Sequence, residues 1–179
     1  MTYYVEEFKE VDEPLQRFMD ECSNRGLVNN ATIEKLNLFK NEPRNVLFML
    51  KKDDTVIGTF GAHTLDLFEN AYRICARACI LTDQTEHSSL RTVNQIRTHQ
   101  NVLARYGLDA CIKWVNDPNA NLYISTHPSD VGAMKLMHRI VLPVFEKTGL
   151  VERVGDFTYK KNIQTFWKVN PAKYYEQIQ

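Results

Sequence analysis

A histidine at the end of a predicted strand is the first residue whose type and position suit chemistry. His127 follows a short predicted strand, residues 121–126, and directly precedes Pro128. Strand ends often line a cleft, and an imidazole with an unperturbed pKa of about 6.5 transfers protons readily near neutral pH. We therefore interpret His127 as a candidate proton-transfer residue. The alternative is a turn histidine without a chemical role.

The four cysteines do not indicate a metal site or a disulfide. Cys75 and Cys79 lie four positions apart in a predicted strand, which separates them by about 13 Å. That distance is too long for a disulfide bond. The sequence contains no CxxC or HExxH pattern, so we predict no bound metal. Cys22 and Cys111 are interpreted as thiols of the hydrophobic core.

The N-terminal part of the chain predicts one strand and two helices that would build a supporting layer. Residues 3–8 read as a strand, and Asp12 before Glu13 and Pro14 is a typical helix start, with Gly26 at the helix end. A second helix is predicted from Asn30 to just before Pro43. Apolar residues at helical spacing predict the buried positions of the two helices: Leu15, Phe18, Met19, Cys22, Ile33, Leu36, Leu38 and Phe39.

Three strands are predicted next. Residues 45–67 form two apolar runs around the charged turn 52–54, which is typical of a β-hairpin, and residues 72–82 form a third strand. Alternation places Arg73 and Arg77 on one face of that strand. They either lie on an exposed sheet face or bind an anionic substrate.

The remaining sequence alternates helices and strands. We predict a helix over 88–106 that ends at Gly107, an ambiguous apolar segment at 108–115 and a strand at 121–126. A helix over about 129–147 follows, in which Pro143 should cause a kink. Two strands at 150–158 and 163–169 close the chain, and cross-strand packing accounts for their aromatic residues, Phe157, Tyr159, Phe166 and Trp167. This hairpin is also a candidate homodimer surface.

Composition limits the classes of protein that fit. A chain of 179 residues with 44% hydrophobic and 25% charged residues is typical of one globular domain, which we place over 1–179. The 22 basic and 22 acidic residues balance, so a nucleic-acid partner is not expected. An acidic N-terminus without an apolar run, and the lack of any long apolar stretch, predict a cytoplasmic protein without a membrane partner.

Two local motifs, together with this order of elements, resemble the GNAT N-acetyltransferase superfamily. Residues 130–137, DVGAMKLM, look like the family's Asn-x-x-Ala-x-x-Leu-Tyr helix start, and residues 147–152, KTGLVE, are similar to its Lys-Leu-Gly-Phe segment. The resemblance covers most of residues 45–169. It implies an α/β fold with a single-domain, mixed, mostly antiparallel sheet flanked by helices. It also implies acetyl-CoA as the donor substrate.

The resemblance locates a coenzyme site directly after the predicted strand at residues 72–82. Family members carry a glycine-rich loop there, whose backbone N–H groups bind pyrophosphate at a helix N-terminus. Residues 83–92, DQTEHSSLRT, contain no glycine. Hydroxyl groups and one arginine of this stretch could replace the backbone donors. The implied coenzyme-binding residues are Ile80, Leu81, Thr82, His87, Ser88, Ser89, Leu90, Arg91, Thr92 and Asp130.

The same resemblance suggests catalytic roles. Met137 occupies the position of a tyrosine that protonates the departing thiolate in many members, and a thioether cannot donate a proton. His138, the next residue, is the candidate replacement. His127 and Glu86 are the candidate bases for the acceptor amine. Two hypotheses stay open: transfer of an acetyl group to an unidentified small-molecule or protein amine, and a GNAT-like binding or assembly protein that has lost catalysis.

Overall fold

The computed structural model of the protein describes residues 3–24, 33–75, 103–128 and 137–178. Strands β1–β7 occupy Tyr3–Glu7, Asn45–Lys52, Thr55–Thr64, Ala71–Cys75, Asn121–Thr126, Val151–Tyr159 and Asn162–Val169. Helices α1–α5 occupy Glu13–Asn24, Ile33–Asn41, Asp109–Val115, Leu142–Lys147 and Pro171–Ile178. Two π-helical turns, Leu103–Leu108 and Met137–Val141, lead directly into α3 and α4.

The described strands form one sheet in the order β1-β2-β3-β4-β5-β7-β6. Strands β4 and β5 pair in parallel, and every other neighbouring pair in this sheet is antiparallel. Helices cover both faces. This mixed, mostly antiparallel sheet confirms the fold class predicted from the sequence.

The two faces of the sheet have different helical neighbours. On one face, which we call the α4 face, apolar residues of β5 and β7 such as Leu122 and Trp167 pack with Leu142 and Phe145 of α4 and with Tyr174 of α5. On the other, the α2 face, residues of β2 and β3 pack with α1 and α2. Farther along this second face, Tyr123 and Phe166 form a smaller aromatic cluster without a helix in its core.

Local chemistry explains the predicted elements that the structure confirms. The carboxylate of Asp12 accepts a hydrogen bond of 2.9 Å from the backbone N–H of Leu15 and so caps α1. Strands β2 and β3 meet at a tight turn in which Asp53 adopts a φ of 52°, a conformation that aspartate tolerates well. The two late strands also form as predicted.

The prediction that a helix ends at Gly107 is wrong. Gly107 lies inside the first π-helical turn, and the helical backbone continues through the segment that the sequence left ambiguous, as α3. The helix ends at Asn116 instead, which adopts a left-handed φ of 47° and donates its N–H to the carbonyl of Ile112. Asparagine is one of the few residues other than glycine that enter this conformation readily.

Two further predictions need correction in the helices. Leu38 was expected in the core, yet its side chain is 63% exposed, because it lies two positions from the buried Leu36 and therefore on another side of α2. Helix α5 was not predicted at all. Its start is capped by the Asn170 side chain, which accepts a hydrogen bond from the backbone N–H of Lys173.

The late hairpin does not hold one aromatic cluster. The ring centroids of Phe157 and Tyr159 each lie 5.8 Å from that of Phe166, which confirms cross-strand packing for these three residues. Trp167 belongs to the α4 face, since consecutive residues of a strand point to opposite faces. In the helix before this hairpin, Pro143 lies near the start of α4, where a missing N–H is tolerated, and the backbone changes there from π to α hydrogen bonding.

Candidate active site

The parallel strands β4 and β5 pair as far as Ile74 and Ile124 within the described part of β4, which ends at Cys75. Their register runs from Ala71 beside Asn121 to Ile74 beside Ile124, whereas β5 continues for two more residues and stays paired with β7 as far as Thr126 beside Thr165. Ser125 and Thr126 therefore follow the last described β4–β5 pair. We use the name β4–β5 gap for this end of β5, at Ser125 and Thr126. In sheets with parallel strands, the carboxyl ends of the strands are where ligands bind.

On the α4 face, Thr126 links an indole to an imidazole. The Nε1 of Trp167 donates to Thr126 Oγ1 at 2.9 Å, and this oxygen lies 2.9 Å from Nδ1 of His138. Because an indole N–H can only donate, the Thr126 hydroxyl accepts from Trp167 and has its own hydrogen to donate to Nδ1. In the tautomer that accepts this hydrogen, the neutral imidazole carries its proton on Nε2.

The surroundings of His138 lower its pKa. Burial is the largest cause, because it disfavours the charged imidazolium, and the positive charge of Arg153 adds to the effect. Arg153 lies with its guanidinium 6.0 Å from the Trp167 ring centroid and donates to Asp156 at 3.2 Å. The His138 ring is therefore predominantly neutral at pH 7.

Asp156 adds a fixed negative charge to the same face. Its Oδ1 accepts a hydrogen bond of 2.7 Å from the Thr165 hydroxyl, and this bond, followed by that from Arg153, lowers the pKa of the carboxyl group. Asp156 is thus ionised at neutral pH. Its charge opposes that of Arg153 at His138, where it acts to raise the imidazole pKa.

On the α2 face, Ser125 organises a second chain of hydrogen bonds. Arg73 Nε donates to Ser125 Oγ at 2.6 Å, and Ser125 Oγ donates to Gln164 Oε1 at 2.6 Å. Gln164 Nε2 in turn donates to the carbonyl of Tyr159 at 3.4 Å. The Arg73 guanidinium also lies 5.6 Å from the ring centroid of Tyr159, within the range of a cation–π contact.

An open groove of about 400 Å³ lies next to this chain on the α2 face. One wall is formed by the end of α2 and the residues after it, including Phe39 and Glu42. The other wall is the β6–β7 turn with Tyr159 and Lys160, and His63 contributes to the floor. His63 is the cross-strand neighbour of Arg73, and the Arg73 guanidinium lies near the Tyr159 ring, so two lining residues of the groove adjoin Arg73.

The structure describes two of the predicted site residues and brings them close enough to interact. His127 directly follows β5, and its Nδ1 lies 3.2 Å from the carbonyl oxygen of Pro128. Its charge contributes weakly to lowering the pKa of His138. The other predicted residues lie outside the described part of the chain: Ile80, Leu81, Thr82, Glu86, His87, Ser88, Ser89, Leu90, Arg91, Thr92 and Asp130.

Sequence reasoning missed the two hydroxyl residues that organise the site. Ser125 and Thr126 end a strand whose preceding residues are apolar, and both are buried, with exposures of 6% and 1%. Polar residues at the buried end of an otherwise apolar strand were a usable signal, since such groups need partners. Arg153, Asp156 and Gln164 carried no comparable signal, because their partners depend on the register of the last hairpin.

Known structures share this architecture across nearly the whole chain. An aminoglycoside 6'-N-acetyltransferase from Enterococcus faecium is 14% identical, with a TM-score of 0.53 over 95% of this chain and 96% of that one. An aminoglycoside 6'-N-acetyltransferase complexed with coenzyme A is 13% identical, with a TM-score of 0.55 over 93% and 95%. A Desulfovibrio desulfuricans protein assigned to the GNAT acetyltransferases is 9% identical, with a TM-score of 0.57 over 94% and 99%.

The chain has the GNAT fold. The fold resemblance inferred from the sequence is thereby confirmed. No protein-family sequence profile matches the chain, and no curated protein is similar to it at a significant level. At identities of 9–14%, the likeness concerns the GNAT fold and not the chemistry of individual members.

Metal and membrane features were searched in the same part of the structure. Among the described residues, no group of three histidine, cysteine or acidic side chains is arranged to hold a metal ion. Within residues 3–24, 33–75, 103–128 and 137–178, no helix is long and apolar enough to cross a membrane. Neither feature bears on the β4–β5 gap.

Proposed function

We propose that the protein is an acyl-CoA-dependent N-acyltransferase that transfers an acetyl group from acetyl-CoA to an amine. The observation that carries the proposal is a titratable imidazole, that of His138, held by Thr126 at the end of β5 in a GNAT fold. Coenzyme A complexes among proteins of this fold support an acyl-CoA donor. The acyl thioester supplies an activated carbonyl carbon for attack by the amine.

We propose that β4 and β5 separate beyond the pair of Ile74 and Ile124 and that the thioester arm enters there. A backbone N–H at such a place can donate to a thioester carbonyl and stabilise the negative charge that develops on its oxygen. We assign this role to the β5 backbone at Ser125 and Thr126, and to the end of the neighbouring strand near Ile80, Leu81 and Thr82.

His138 is the proposed partner of the departing sulfur. Its Nδ1 is engaged by Thr126, so Nε2–H is the donor that remains for a ligand. A neutral imidazole stabilises a thiolate by hydrogen bonding, and it does so without the cost of a buried positive charge. The adjacent Met137 packs against the core of the α4 face and has no such donor.

A second group must take the proton that the amine loses. His127 is the proposed base, because it directly follows β5 and lies close enough to His138 for its charge to act on the pKa of that ring. Glu86 is the second candidate. For the coenzyme pyrophosphate we propose the stretch from His87 to Thr92, in which Arg91 would pair with phosphate, and Asp130 is proposed as a further coenzyme-site residue.

The direct test combines donor binding and turnover. Acetyl-CoA at 100 times its dissociation constant should stabilise the protein by about 2.7 kcal/mol, measured as a shift of the thermal or urea unfolding transition. Turnover is followed as thiol release with a panel of amines. No stabilisation at millimolar acetyl-CoA would contradict the proposal.

A pair of arginine variants tests the location of the coenzyme. Arg91→Ala should weaken acetyl-CoA binding, whereas Arg73→Ala, on the α2 face, should leave it nearly unchanged. Equal losses in both variants would mean that the pyrophosphate site has been misplaced.

One sequence observation favours the second candidate, a GNAT-like binding or assembly protein without catalysis. The stretch 83–92 contains no glycine, and Met137 stands at the usual donor position. Under this alternative, acetyl-CoA would fail to bind, or would bind without any thiol release across the amine panel.

A further inference from the structure

The half-buried Arg73 on the α2 face has a fixed position and an unused binding edge. Its Nε is engaged by Ser125, while no carboxylate among the described residues contacts the guanidinium. The two terminal nitrogens therefore have no partner there. Placing a guanidinium in a partly buried position without an anion is costly, and the fork of its terminal N–H groups matches the two oxygens of a carboxylate.

Ser125 and Gln164 hold the guanidinium in one orientation. Because arginine can only donate, Ser125 must accept from Nε, and its single hydrogen then goes to Gln164 Oε1. The Gln164 amide is fixed by its second bond to the Tyr159 carbonyl. Both Ser125 and Gln164 are buried, with exposures of 6% and 8%. A surface arginine needs no such support, and preorganisation of this kind is typical of a binding group.

The position of Arg73 relates it to the transfer chemistry. Ser125 is the first residue after the last β4–β5 pair, so the guanidinium is anchored beside the gap. On the α4 face, α3, α4 and α5 cover the sheet. The α2 face instead carries the open groove, and two of its lining residues, His63 and Tyr159, adjoin Arg73. An acceptor that extends from this groove to the end of β5 would therefore pass the Arg73 guanidinium.

We propose that Arg73 is a specificity residue which binds the carboxylate of the acceptor, and that the acceptor is a small amine with a carboxylate close to its amino group, such as a free amino acid. This inference rests on the proposed acyl transfer. The planar fork of the guanidinium matches the two oxygens of a carboxylate. Because Arg73 is anchored by Ser125, next to Thr126 at the end of β5, the carboxylate of the acceptor is expected only a few bonds from its amine.

The test compares acceptors that differ only in the carboxylate. The full chain is assayed with acetyl-CoA and two sets of acceptors, free α-amino acids and their primary amides. The amide has the less basic amine and so more of the reactive neutral form, yet we expect kcat/KM to be at least about tenfold higher for the acid. Arg73→Gln should raise KM for the acid about tenfold or more, and should leave the amide within about twofold.

Two further variants complete this comparison. Arg73→Lys keeps the charge and loses the planar fork, so it should give an intermediate KM. Arg17→Gln removes an exposed arginine on α1, which pairs with Glu13, and serves as a control with unchanged kinetics. Equal use of acids and amides, or an equal effect of Arg73→Gln on both, would overturn the carboxylate subsite while leaving acyl transfer intact.

A binding measurement separates this inference from the proposed function. Saturation-transfer NMR with a mixture of free amino acids, recorded with coenzyme A present, should show binding that disappears in Arg73→Gln. If this Arg73-dependent binding occurs without any turnover, acyl transfer fails and the carboxylate subsite stands. If no amino acid binds in an Arg73-dependent way, the subsite is wrong whatever the turnover.

Discussion

Two neighbouring residues of β5 each take part in a chain of side-chain hydrogen bonds, and the two chains end in different kinds of group. Thr126, on the α4 face, leads from Trp167 to the imidazole of His138. Ser125, on the α2 face, links Gln164 to the guanidinium of Arg73. An imidazole gains and loses a proton near neutral pH, whereas a guanidinium stays charged. The difference assigns chemistry to the α4 face and recognition to the α2 face of the same gap.

The sharpest test of this division asks whether a substitution on each face changes kcat or KM. His138→Ala should lower kcat by about 100-fold, or about 2.7 kcal/mol in activation free energy, because removing one preorganised hydrogen-bond donor to a developing negative charge costs about that much. KM for the acceptor should change little. His138→Gln retains an N–H donor and should recover part of the rate. A loss confined to KM would place His138 with recognition.

The next test compares the stability that the two hydroxyls provide. Thr126→Val keeps the shape of the side chain but leaves a buried indole N–H without an acceptor, so the free energy of unfolding should fall by about 2 kcal/mol. Ser125→Ala should cost less, about 1 kcal/mol, since the half-buried Arg73 can turn towards water. Urea denaturation measures both values. Equal losses would show that the hydrogen bonds between Ser125 and Arg73 are as closed to solvent as those between Thr126 and Trp167.

These two chains also show where sequence reasoning succeeded. The strand ending at Thr126 and the position of His127 directly after it follow from local patterns, because strand signals depend only on near neighbours along the chain. The candidacy of His138 came from the resemblance around residues 130–137. The order of elements, together with the motif at residues 130–137, indicated the fold. Helix α5 was missed although Asn170 and Pro171 form a typical helix start.

The contacts between distant segments could not be predicted. Arg73 meets Ser125 and Tyr159 only because β4, β5, β7 and β6 assemble in one order and register, separated by up to 86 positions along the chain. The bulge between Arg153 and Gly155 further shifts which residues of β6 face His138. A one-residue slip in register exchanges the faces, and no local pattern fixes it to that accuracy.

A smaller effect is expected on the titration of His138. Its pKa is lowered in the folded protein, so the unfolded chain binds a proton more readily. The contribution of this group to stability is therefore full above the unfolded pKa, about 6.5, and is lost as the pH falls through the folded value. Arg153→Gln removes a positive charge and should raise the His138 pKa. NMR titration of the imidazole signal follows the change. An unchanged midpoint would mean that the charge of Arg153 does not affect the His138 pKa.

The smallest expected effect has the opposite sign and comes from Asp156. Its carboxylate acts to raise the His138 pKa, so Asp156→Asn should lower the NMR titration midpoint of that ring further. The asparagine side chain can still accept from Thr165, which keeps the 2.7 Å hydrogen bond and separates charge from geometry. The same substitution should leave KM for a carboxylated acceptor unchanged. The acceptor's carboxylate is proposed to bind Arg73 on the α2 face, and the Arg73 guanidinium stays charged throughout. A change in that KM would mean that the two faces of the gap are coupled, and that the division between chemistry and recognition does not hold.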